Sequence, residues 1–552
     1  MPTVDGLAGR IRVALTRPLW AGLALLAVYA VLSLFNSTDG YLGTDTGAKV
    51  ITIHEMVEGS TLRPDVGYWA EEWDPEGRFH PLLYTVPNDR GEWVNVTTLP
   101  MLVAAHPLYA FGGYRLALFL PMLGSLLSAF AARDIARQIR DDVAGWRAYW
   151  VVGLASPMLI YALDLWEHSL GAGLMVAAFA LLLRIFRGPS QPVLPLGAGL
   201  LLGASASMRT ETFAVATAFV GATCLALVVR RRTHAAVISG ILCLVGFTAV
   251  WYANAALESW LGGNSRVERA EGLARSDILG ELPLRAEEAL ITWWGTAAYA
   301  YPGDVALGIA FAGSVGIAWW LTRRSEQRLG FYAVALAAVC FVIPLVSGLG
   351  FVPGALVASP VAIAGILGPR WSADRALLVG GALGATALTW IFQYTGGANP
   401  QWGGRYLLAP TVVLTAVGAA QLGPAHVLIR RLLVGCAVAV TIFGIAWVQW
   451  RTAEIEELFA ELATRSEGVI ISTNGWFVRE GGPAVQERRY LSLGPDTTVA
   501  SAVTRVVRPA GLASFGVLGG HAADVPGASL RETIDLDVLG LTMPYHIYDI
   551  TA

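Results

Sequence analysis

An acidic residue near the start of the chain is the first candidate for chemistry. Asp45 lies about nine residues beyond the first long apolar run, so it should sit close to a membrane surface. A carboxylate there is costly unless it has a partner or a role, and it could act as a general base that deprotonates a hydroxyl group. The alternative is that Asp45 caps a helix predicted for residues 46–57. Lys49, the one lysine of the chain, follows four residues later and could bind an anionic group.

Three further groups of ionisable residues stand where predicted apolar helices begin or end. They are Glu167 with His168, Arg209 with Glu211, and Arg405 with Tyr406. Ionisable groups at membrane depth usually face a cavity or one another, so each group is a candidate functional site. Arg405 could hold a phosphate through two parallel hydrogen bonds. The alternatives are that the first two groups only satisfy partners inside the bundle, and that Arg405 extends to the membrane surface.

Between the first two predicted spans, aromatic and acidic side chains are interleaved with histidines. These residues are His54, Glu55, Tyr68, Trp69, Glu71, Glu72, Trp73, Asp74, Phe79 and His80. Aromatic rings mixed with carboxylates suit a wall that binds a sugar, and we take His54 and Glu55 as candidate substrate-binding residues. The competing interpretation is an interfacial belt of tryptophan and tyrosine with solvated charges.

The composition indicates that the helices that position these residues lie in a membrane. The chain has 552 residues, of which 55% are hydrophobic and 14% are charged, and one soluble core cannot bury so much apolar surface. A net charge of −3 without a polybasic tract argues against a nucleic-acid partner. The four cysteines lie inside apolar runs and predict no disulfide. Thirteen runs are long enough to span a bilayer, at residues 18–36, 115–132, 148–164, 169–187, 193–210, 212–229, 234–256, 303–321, 329–347, 351–368, 376–394, 406–422 and 432–450.

The arginines orient these spans. With a cytoplasmic N-terminus, every short arginine-rich loop falls inside, namely those at residues 10–17, 133–147, 184–187, 230–232, 323–328, 370–375 and 430–431. The apolar run 98–112 would break this pattern if it crossed, and with Pro107 and Gly112 it is predicted as a helix at the interface. The preference for arginine over lysine is typical of a bacterium with a GC-rich genome. We therefore predict a multi-pass protein of a bacterial plasma membrane with an extracytoplasmic C-terminus.

The chain divides into two predicted domains. Residues 1–450 form a transmembrane domain with a large first outer loop at 37–114, and residues 451–552 form a small extracytoplasmic α/β domain. The second domain is predicted to contain an amphipathic helix at 451–465, buried strands at 468–472, 489–493 and 514–518, and a crossover helix at 497–507. The fold class is therefore mainly α, a polytopic membrane helix bundle. We expect the C-terminal domain to select the acceptor or to pack, not to join the central chemistry.

The order and spacing of these motifs resemble those of the GT-C superfamily of membrane glycosyltransferases, in particular the family of dolichyl-phosphate-mannose protein mannosyltransferases and bacterial aminoarabinose transferases. An acid soon after the first helix, here Asp45, is the hallmark of the superfamily. Residues 95–115 are similar to the family's interfacial helix, residues 203–211 to its glycine-rich helix ending in Arg-x-Glu, and residues 401–408 to its Trp-Gly-x-Arg-Tyr-Leu-Leu segment. Thr46 stands where the mannosyltransferases carry glutamate.

The resemblance implies transfer of a sugar from a polyprenyl-phosphate donor to a glycan, lipid or protein acceptor at the outer face of the membrane. Asp45 would be the general base, with Glu167 and His168 as further catalytic candidates. The residues that meet the donor phosphate or the substrate would be Lys49, His54, Glu55, Arg209, Glu211, Arg405 and Tyr406. No cofactor is required by the sequence, and a divalent metal is allowed. The alternative function is a lipid-linked glycan ligase or polymerase, or a flippase or other transporter.

Overall fold

The helices of a membrane bundle precede a small mixed sheet in the structure, which is a computed structural model. Arg10, Arg12, Arg370 and Gln401, which entered the predictions above, lie outside the residues that the structure describes. The described residues are 16–95, 98–189, 191–263, 280–296, 302–346, 350–368, 371–392 and 402–551.

The helices follow the predicted spans. Up to residue 262 they are α1 (Pro18–Ser33), α2 (Thr44–Glu58), α3 (Leu99–Ala117), α4 (Phe119–Ile139), α5 (Asp142–Leu154), α6 (Pro157–Ala162), α7 (His168–Arg187), α8 (Val193–Ala206), α9 (Thr212–Val229) and α10 (Thr233–Gly262). Beyond it they are α11 (Leu282–Trp294), α12 (Pro302–Arg323), α13 (Gln327–Val346), α14 (Ala355–Ala358), α15 (Pro360–Leu367), α16 (Ala373–Phe392), α17 (Leu408–Leu422) and α18 (Val427–Ala463). Among the described residues, nine helical segments are long and apolar enough to cross a membrane.

All thirteen predicted spans coincide with helices of this set. Nine match the long segments, α1 and α8 are shorter, and two spans are split into α5 with α6 and α14 with α15. Ser156 caps α6 with its side chain, and Pro157 is the first residue of that helix. Ser359 and Pro360 stand at the other split. Because proline lacks a backbone N–H, neither span continues as one helix.

The C-terminal sheet confirms the predicted α/β unit and extends it. Its strands are β3 (Ile470–Ser472), β4 (Tyr490–Ser492), β5 (Ser514–Leu518), β6 (Ala528–Val538) and β7 (Leu541–Ile550), which follow a short hairpin of β1 (Thr85–Pro87) and β2 (Trp93–Asn95) in the first loop. The sheet order is β4-β3-β5-β7-β6, with β3 parallel to both neighbours and the last two strands antiparallel. The predicted crossover helix is present as α20 (Val499–Ala502) and a short π-helical segment, Val503–Val507, that follows it. The β6–β7 hairpin was not predicted. A single turn of helix, α19 (Gly475–Val478), follows β3.

The first loop and the C-terminal segment share their hydrophobic cores. Ile51 and Trp93 pack in one cluster with Phe459, and Phe79 packs in another with Val503. The Trp69 indole N–H also donates a hydrogen bond of 2.8 Å to the Tyr490 carbonyl. The two segments therefore form one layer against the ends of the bundle helices, and this layer holds α2 in place.

Candidate active site

Helix α2 positions the two charged residues that the sequence analysis placed first. The helix begins after Gly43, and Asp45 lies in its first turn, where a negative charge is stabilised by the helix dipole. Lys49 is four residues later and therefore on the same face, and its ammonium group donates to the backbone carbonyl of Asp45 at 3.3 Å. Asp45 is not the residue that caps the helix, because Gly43 occupies that position.

The carboxylate of Asp45 lies between two guanidinium groups, and we call these three residues the Asp45 triad. Arg405 Nη1 is 3.4 Å from one carboxylate oxygen, and Arg479 Nη2 is 3.5 Å from the other. The Asp45 side chain is 33% exposed, whereas both arginines are almost fully buried. Burial alone would raise the pKa of Asp45, but the charges of Lys49, Arg479 and Arg405 lower it to about 2.

A chain of buried ion pairs continues inward from Lys49, and we call its four members, Lys49, Glu167, Arg209 and Glu211, the buried ion-pair chain. Lys49 Nζ lies 3.0 Å from Glu167, and Arg209 bridges Glu167 and Glu211 at 2.9 Å each. Burial would raise the pKa of Glu167, but Lys49 and Arg209 lower it to about 2. Arg209 and Glu211 thus have ion-pair partners inside the bundle, and their role in binding substrate stays a prediction.

His168 lies among aromatic rings beside both groups. Its ring centroid is 4.4 Å from that of Trp166, 5.6 Å from that of Tyr161 and 6.3 Å from that of Tyr406. The imidazole is buried, and neither ring nitrogen has a hydrogen-bond partner within the described part of the chain. Unsatisfied buried polar groups are rare in folded proteins and often mark the place of a ligand.

Two glycines bring Arg405 and Tyr406 to this place. Gly403 and Gly404 both adopt positive φ angles, of 78° and 66°, which residues with a side chain rarely adopt. A Cβ atom on Gly403 would also lie 2.4 Å from the ring of Pro157. The turn puts the Arg405 guanidinium carbon 4.7 Å from the Tyr406 ring centroid, on the site side of α17. Arg405 thus pairs with Asp45 at 3.4 Å.

The loop before α7 supplies another buried acid. Asp164 accepts a hydrogen bond of 2.7 Å from the Thr46 hydroxyl and one of 3.3 Å from the Tyr114 hydroxyl. Thr46 is the neighbour of Asp45, so Asp164 fixes the start of α2 against the bundle. Asp164 was not among the candidate residues predicted from the sequence.

The structure does not bring His54 and Glu55 to the triad. They lie on α2 about 14 Å along the helix axis from Asp45. The His54 ring contacts the Tyr109 ring at 6.3 Å, and burial raises the pKa of Glu55 despite neighbouring His54 and a hydrogen bond with Gln486. Neither contact is with a member of the triad or of the buried ion-pair chain.

The buried members of the predicted aromatic and acidic wall have structural contacts. Asp74 accepts hydrogen bonds from the Tyr68 hydroxyl at 2.9 Å and from the Phe79 backbone N–H at 2.8 Å. The His80 ring nitrogens lie 3.2 Å from the Leu82 carbonyl and 3.1 Å from the Gly67 carbonyl. These side chains hold the loop together.

Arg479 is the site residue that the sequence analysis missed. It follows α19 in the C-terminal segment, and it also lies 3.4 Å from the Asn95 side chain. Its backbone packs so closely on α2 that a Cβ atom on Gly47 would lie 1.7 Å from the Arg479 carbonyl oxygen. The C-terminal segment therefore contacts the Asp45 triad directly, which our expectation for that domain did not include.

No cluster of three or more histidine, cysteine, aspartate or glutamate side chains with the geometry of a metal site occurs in the described ranges. The carboxylates of the site are instead close to lysine and arginine. Cationic partners compete with a metal ion for the same oxygens.

Comparison with known proteins gives structural matches only. The sequence matches no family model and no curated protein. An oligosaccharyltransferase from Archaeoglobus fulgidus, crystallised with zinc and sulfate, is 14% identical, with 89% of this chain and 67% of that chain aligned at a TM-score of 0.48. The ArnT protein of Cupriavidus metallidurans bound to undecaprenyl phosphate is 13% identical, with 95% and 97% aligned at a TM-score of 0.43.

A third solved structure contains a lipid phosphate of another kind. It is the A. fulgidus oligosaccharyltransferase AglB in complex with an inhibitory peptide and a dolichol-phosphate, 14% identical, with 90% and 69% aligned at a TM-score of 0.44.

Proposed function

We propose that this protein is a glycosyltransferase that moves a sugar from a polyprenyl-phosphate donor to an acceptor hydroxyl, with Asp45 as general base. The observation that carries the proposal is the Asp45 triad, in which a partly exposed carboxylate lies within 3.5 Å of two buried guanidinium groups. One site thus combines a proton acceptor with two groups that bind phosphate oxygens well. The other charged residues of the site belong to the buried ion-pair chain, and their side chains are too buried to exchange partners easily.

The proposed reaction is a single displacement. The acceptor oxygen forms a bond to the anomeric carbon of the donor sugar, and the bond from that carbon to the phosphate oxygen breaks. The bonding electrons leave with the phosphate, and the acceptor proton goes to Asp45. The reaction needs no nucleotide, because the lipid phosphate is itself the leaving group, and Arg405 and Arg479 would stabilise the charge that develops on it.

Phosphate binding would also make Asp45 a better base. A carboxylate with a pKa of about 2 is a weak proton acceptor at neutral pH. A donor phosphate that draws Arg405 and Arg479 towards itself would remove part of the positive field at Asp45 and raise its pKa. The base would then be active chiefly when the donor is bound. The nitrogens of His168, which have no hydrogen-bond partner within the described residues, would bind the donor sugar or its phosphate.

We propose that the protein lies in the plasma membrane of a bacterium with its N-terminus in the cytoplasm, the orientation predicted by the arginine-rich loops. The site and the C-terminus would then lie outside the cytoplasm. Helix α7 supports it, because His168 begins the helix at the site whereas Arg184 and Arg187 are at its other end, about 30 Å away. A C-terminal fusion to alkaline phosphatase should be active in cells, and a fusion to green fluorescent protein should be dark. The reverse pattern would exclude this orientation.

The test of the proposed function is the binding and turnover of donors by the purified full-length protein in lipid nanodiscs. A panel of radiolabelled polyprenyl-phosphate monosaccharides should include one that binds and that releases free polyprenyl phosphate in the presence of an acceptor. Arg405→Ala and Arg479→Ala should each bind that donor about 10- to 100-fold more weakly, the value of a charged hydrogen bond. Arg531→Ala removes an exposed arginine of the C-terminal hairpin and serves as the matched control, with unchanged binding. Donor binding by Arg405→Ala and Arg479→Ala equal to wild type would exclude the phosphate role.

A further inference from the structure

Two aromatic side chains, Tyr84 and Trp476, stand beside the Asp45 triad, and we call them the aromatic pair. Their ring centroids are 5.1 Å apart and their planes are inclined at 62°. Both are exposed, Tyr84 by 38% and Trp476 by 44%. The guanidinium carbon of Arg479 lies 5.9 Å from the Trp476 ring centroid, and the same guanidinium reaches Asp45. One side chain therefore connects the aromatic pair to the proposed base.

The chain holds both rings in defined positions. Trp476 lies in α19, where the Asn474 side chain accepts a hydrogen bond of 3.1 Å from its backbone N–H. Gly475 packs against Leu83 so closely that an added Cβ atom would lie 2.9 Å from that side chain. Tyr84 has a φ angle of 65°, a left-handed conformation that is uncommon for a residue with a side chain. Strained backbone of this kind is concentrated at functional sites.

The chemistry around the aromatic pair fits a carbohydrate. A sugar ring has an apolar face of C–H groups, which packs on an aromatic ring, and a rim of hydroxyl groups, which needs hydrogen-bonding partners. The aromatic pair supplies the first, and Arg479 lies beside it for the second, with the Asp45 carboxylate 3.5 Å from that guanidinium group. A hydrocarbon chain would pack on the rings but would not pair with the charged groups, and a phosphate would pair with the arginine but would not pack on the rings. A sugar ring does both.

We propose that Tyr84 and Trp476 form a subsite for a sugar ring of the acceptor, so that the acceptor is a glycan and one of its hydroxyl groups is held at Asp45. This inference rests on the proposed function, because it identifies the class of acceptor for the same site. Binding of the sugar ring to the aromatic pair requires no donor, and it can therefore be measured separately from transfer.

The test is saturation-transfer difference NMR on the full-length protein in nanodiscs with a panel of methyl glycosides. Ring protons of at least one glycoside should receive saturation from the wild-type protein, and titration should give its dissociation constant. Trp476→Ala should raise that constant about 2- to 10-fold, the value of one aromatic contact, and Trp476→Phe should restore most of it. Trp371→Ala is the matched control, because Trp371 is 61% exposed, also contacts an arginine, and lies at the start of α16 near the predicted cytoplasmic arginines.

Tyr84→Ala provides a second variant from the other chain segment, in case Trp476→Ala lowers the melting temperature. It should weaken glycoside binding in the same way. Failure of every glycoside to bind, or binding by both variants equal to wild type, would overturn the subsite; equal binding would leave the rings as membrane-interface anchors. If the glycosides bind as described but no polyprenyl-phosphate sugar is turned over, the glycan subsite is supported and the failure falls on the proposed transfer.

Discussion

The Asp45 triad and the buried ion-pair chain both pair carboxylates with cationic side chains but differ in geometry. In the buried chain, Lys49, Glu167 and Arg209 are separated by 2.9–3.0 Å, and their side chains are at most 7% exposed. In the triad, the distances are 3.4 and 3.5 Å, and the carboxylate is 33% exposed. The two groups adjoin through Lys49, which contacts a carboxylate of the chain and the backbone of Asp45.

This difference indicates which group stabilises the structure and which takes part in the reaction. Breaking a short, buried ion pair leaves an uncompensated charge without water, so such a pair fixes the side chains that form it. A longer pair with a partly exposed carboxylate can exchange one partner for another at lower cost, because water reaches the carboxylate. We therefore assign proton transfer to Asp45 and the alignment of α2, α7 and the Arg209 turn to the buried ion-pair chain.

The largest expected effect is that of Asp45→Asn. Asparagine has nearly the same shape but cannot accept the proton, so transfer should fall about 10²- to 10⁴-fold, the usual contribution of a general base. Donor binding should be kept or strengthened, because Arg405 and Arg479 lose a competing carboxylate. The measurement is release of polyprenyl phosphate by purified protein with a matched acceptor, beside donor binding by the same sample. Transfer within a few-fold of wild type would remove Asp45 from the mechanism and turn attention to Glu167.

Glu167→Gln should instead affect stability. It leaves Lys49 and Arg209 without their shared carboxylate inside the bundle, and breaking a buried pair in this way costs about 3–5 kcal/mol. The melting temperature in detergent should fall clearly, and transfer should fall in proportion to the folded fraction. Glu461→Gln breaks an exposed pair with Arg465 and is the control, because such pairs contribute at most about 1 kcal/mol. A Glu167→Gln protein with wild-type stability but no transfer would show that Glu167 takes part in the chemistry.

Much of the fold followed from local sequence signals. Apolar runs of bilayer length located the helices, and short, mainly apolar runs located β3, β4 and β5 as buried strands. Pro157 and Pro360 could have indicated the two helix breaks. Each was predicted as one continuous span because the run around it is long and apolar. The β6–β7 hairpin was not predicted, although the second half of β6 does alternate: Ile534, Leu536 and Val538 pack in a core cluster and are separated by two exposed aspartates, whereas the first half of the strand is exposed.

The site was predictable only where its residues lie in the membrane part of the chain. Asp45, Glu167, Arg209 and Arg405 were found because a charge next to an apolar run is unusual and therefore stands out. Arg479 lies in the C-terminal segment, away from every apolar run of bilayer length, and there an arginine does not stand out as unusual. Its role depends on contacts between segments more than 380 residues apart in the sequence, such as its 3.4 Å contact with Asn95, and local patterns do not encode such contacts.

The smallest expected effect concerns pH. The pKa values of Asp45 and Glu167 are lowered to about 2 in the folded protein, from ordinary values of 3.8 and 4.5. A carboxyl group whose folded pKa is lowered stabilises the fold fully above its unfolded pKa, and this contribution is lost as the pH falls towards the folded pKa. The melting temperature should therefore be insensitive to these two groups from about pH 7 to 5 and should fall with acidification between about pH 5 and 2.

The pKa of Glu55, on the same helix as Asp45, is shifted in the opposite direction. Burial raises its pKa, so its contribution favours the folded state at low pH and is lost as the pH rises. Glu55→Gln should thus gain in melting temperature relative to wild type at pH 7 and lose that gain near pH 4, whereas Asp45→Asn should approach wild type only in acid. Thermal unfolding of the three proteins between pH 3 and 7 measures both slopes. Equal slopes for both variants would mean that the arginines of the triad do not hold Asp45 in its ionised form, and the difference between triad and buried chain would then rest on distance and exposure alone.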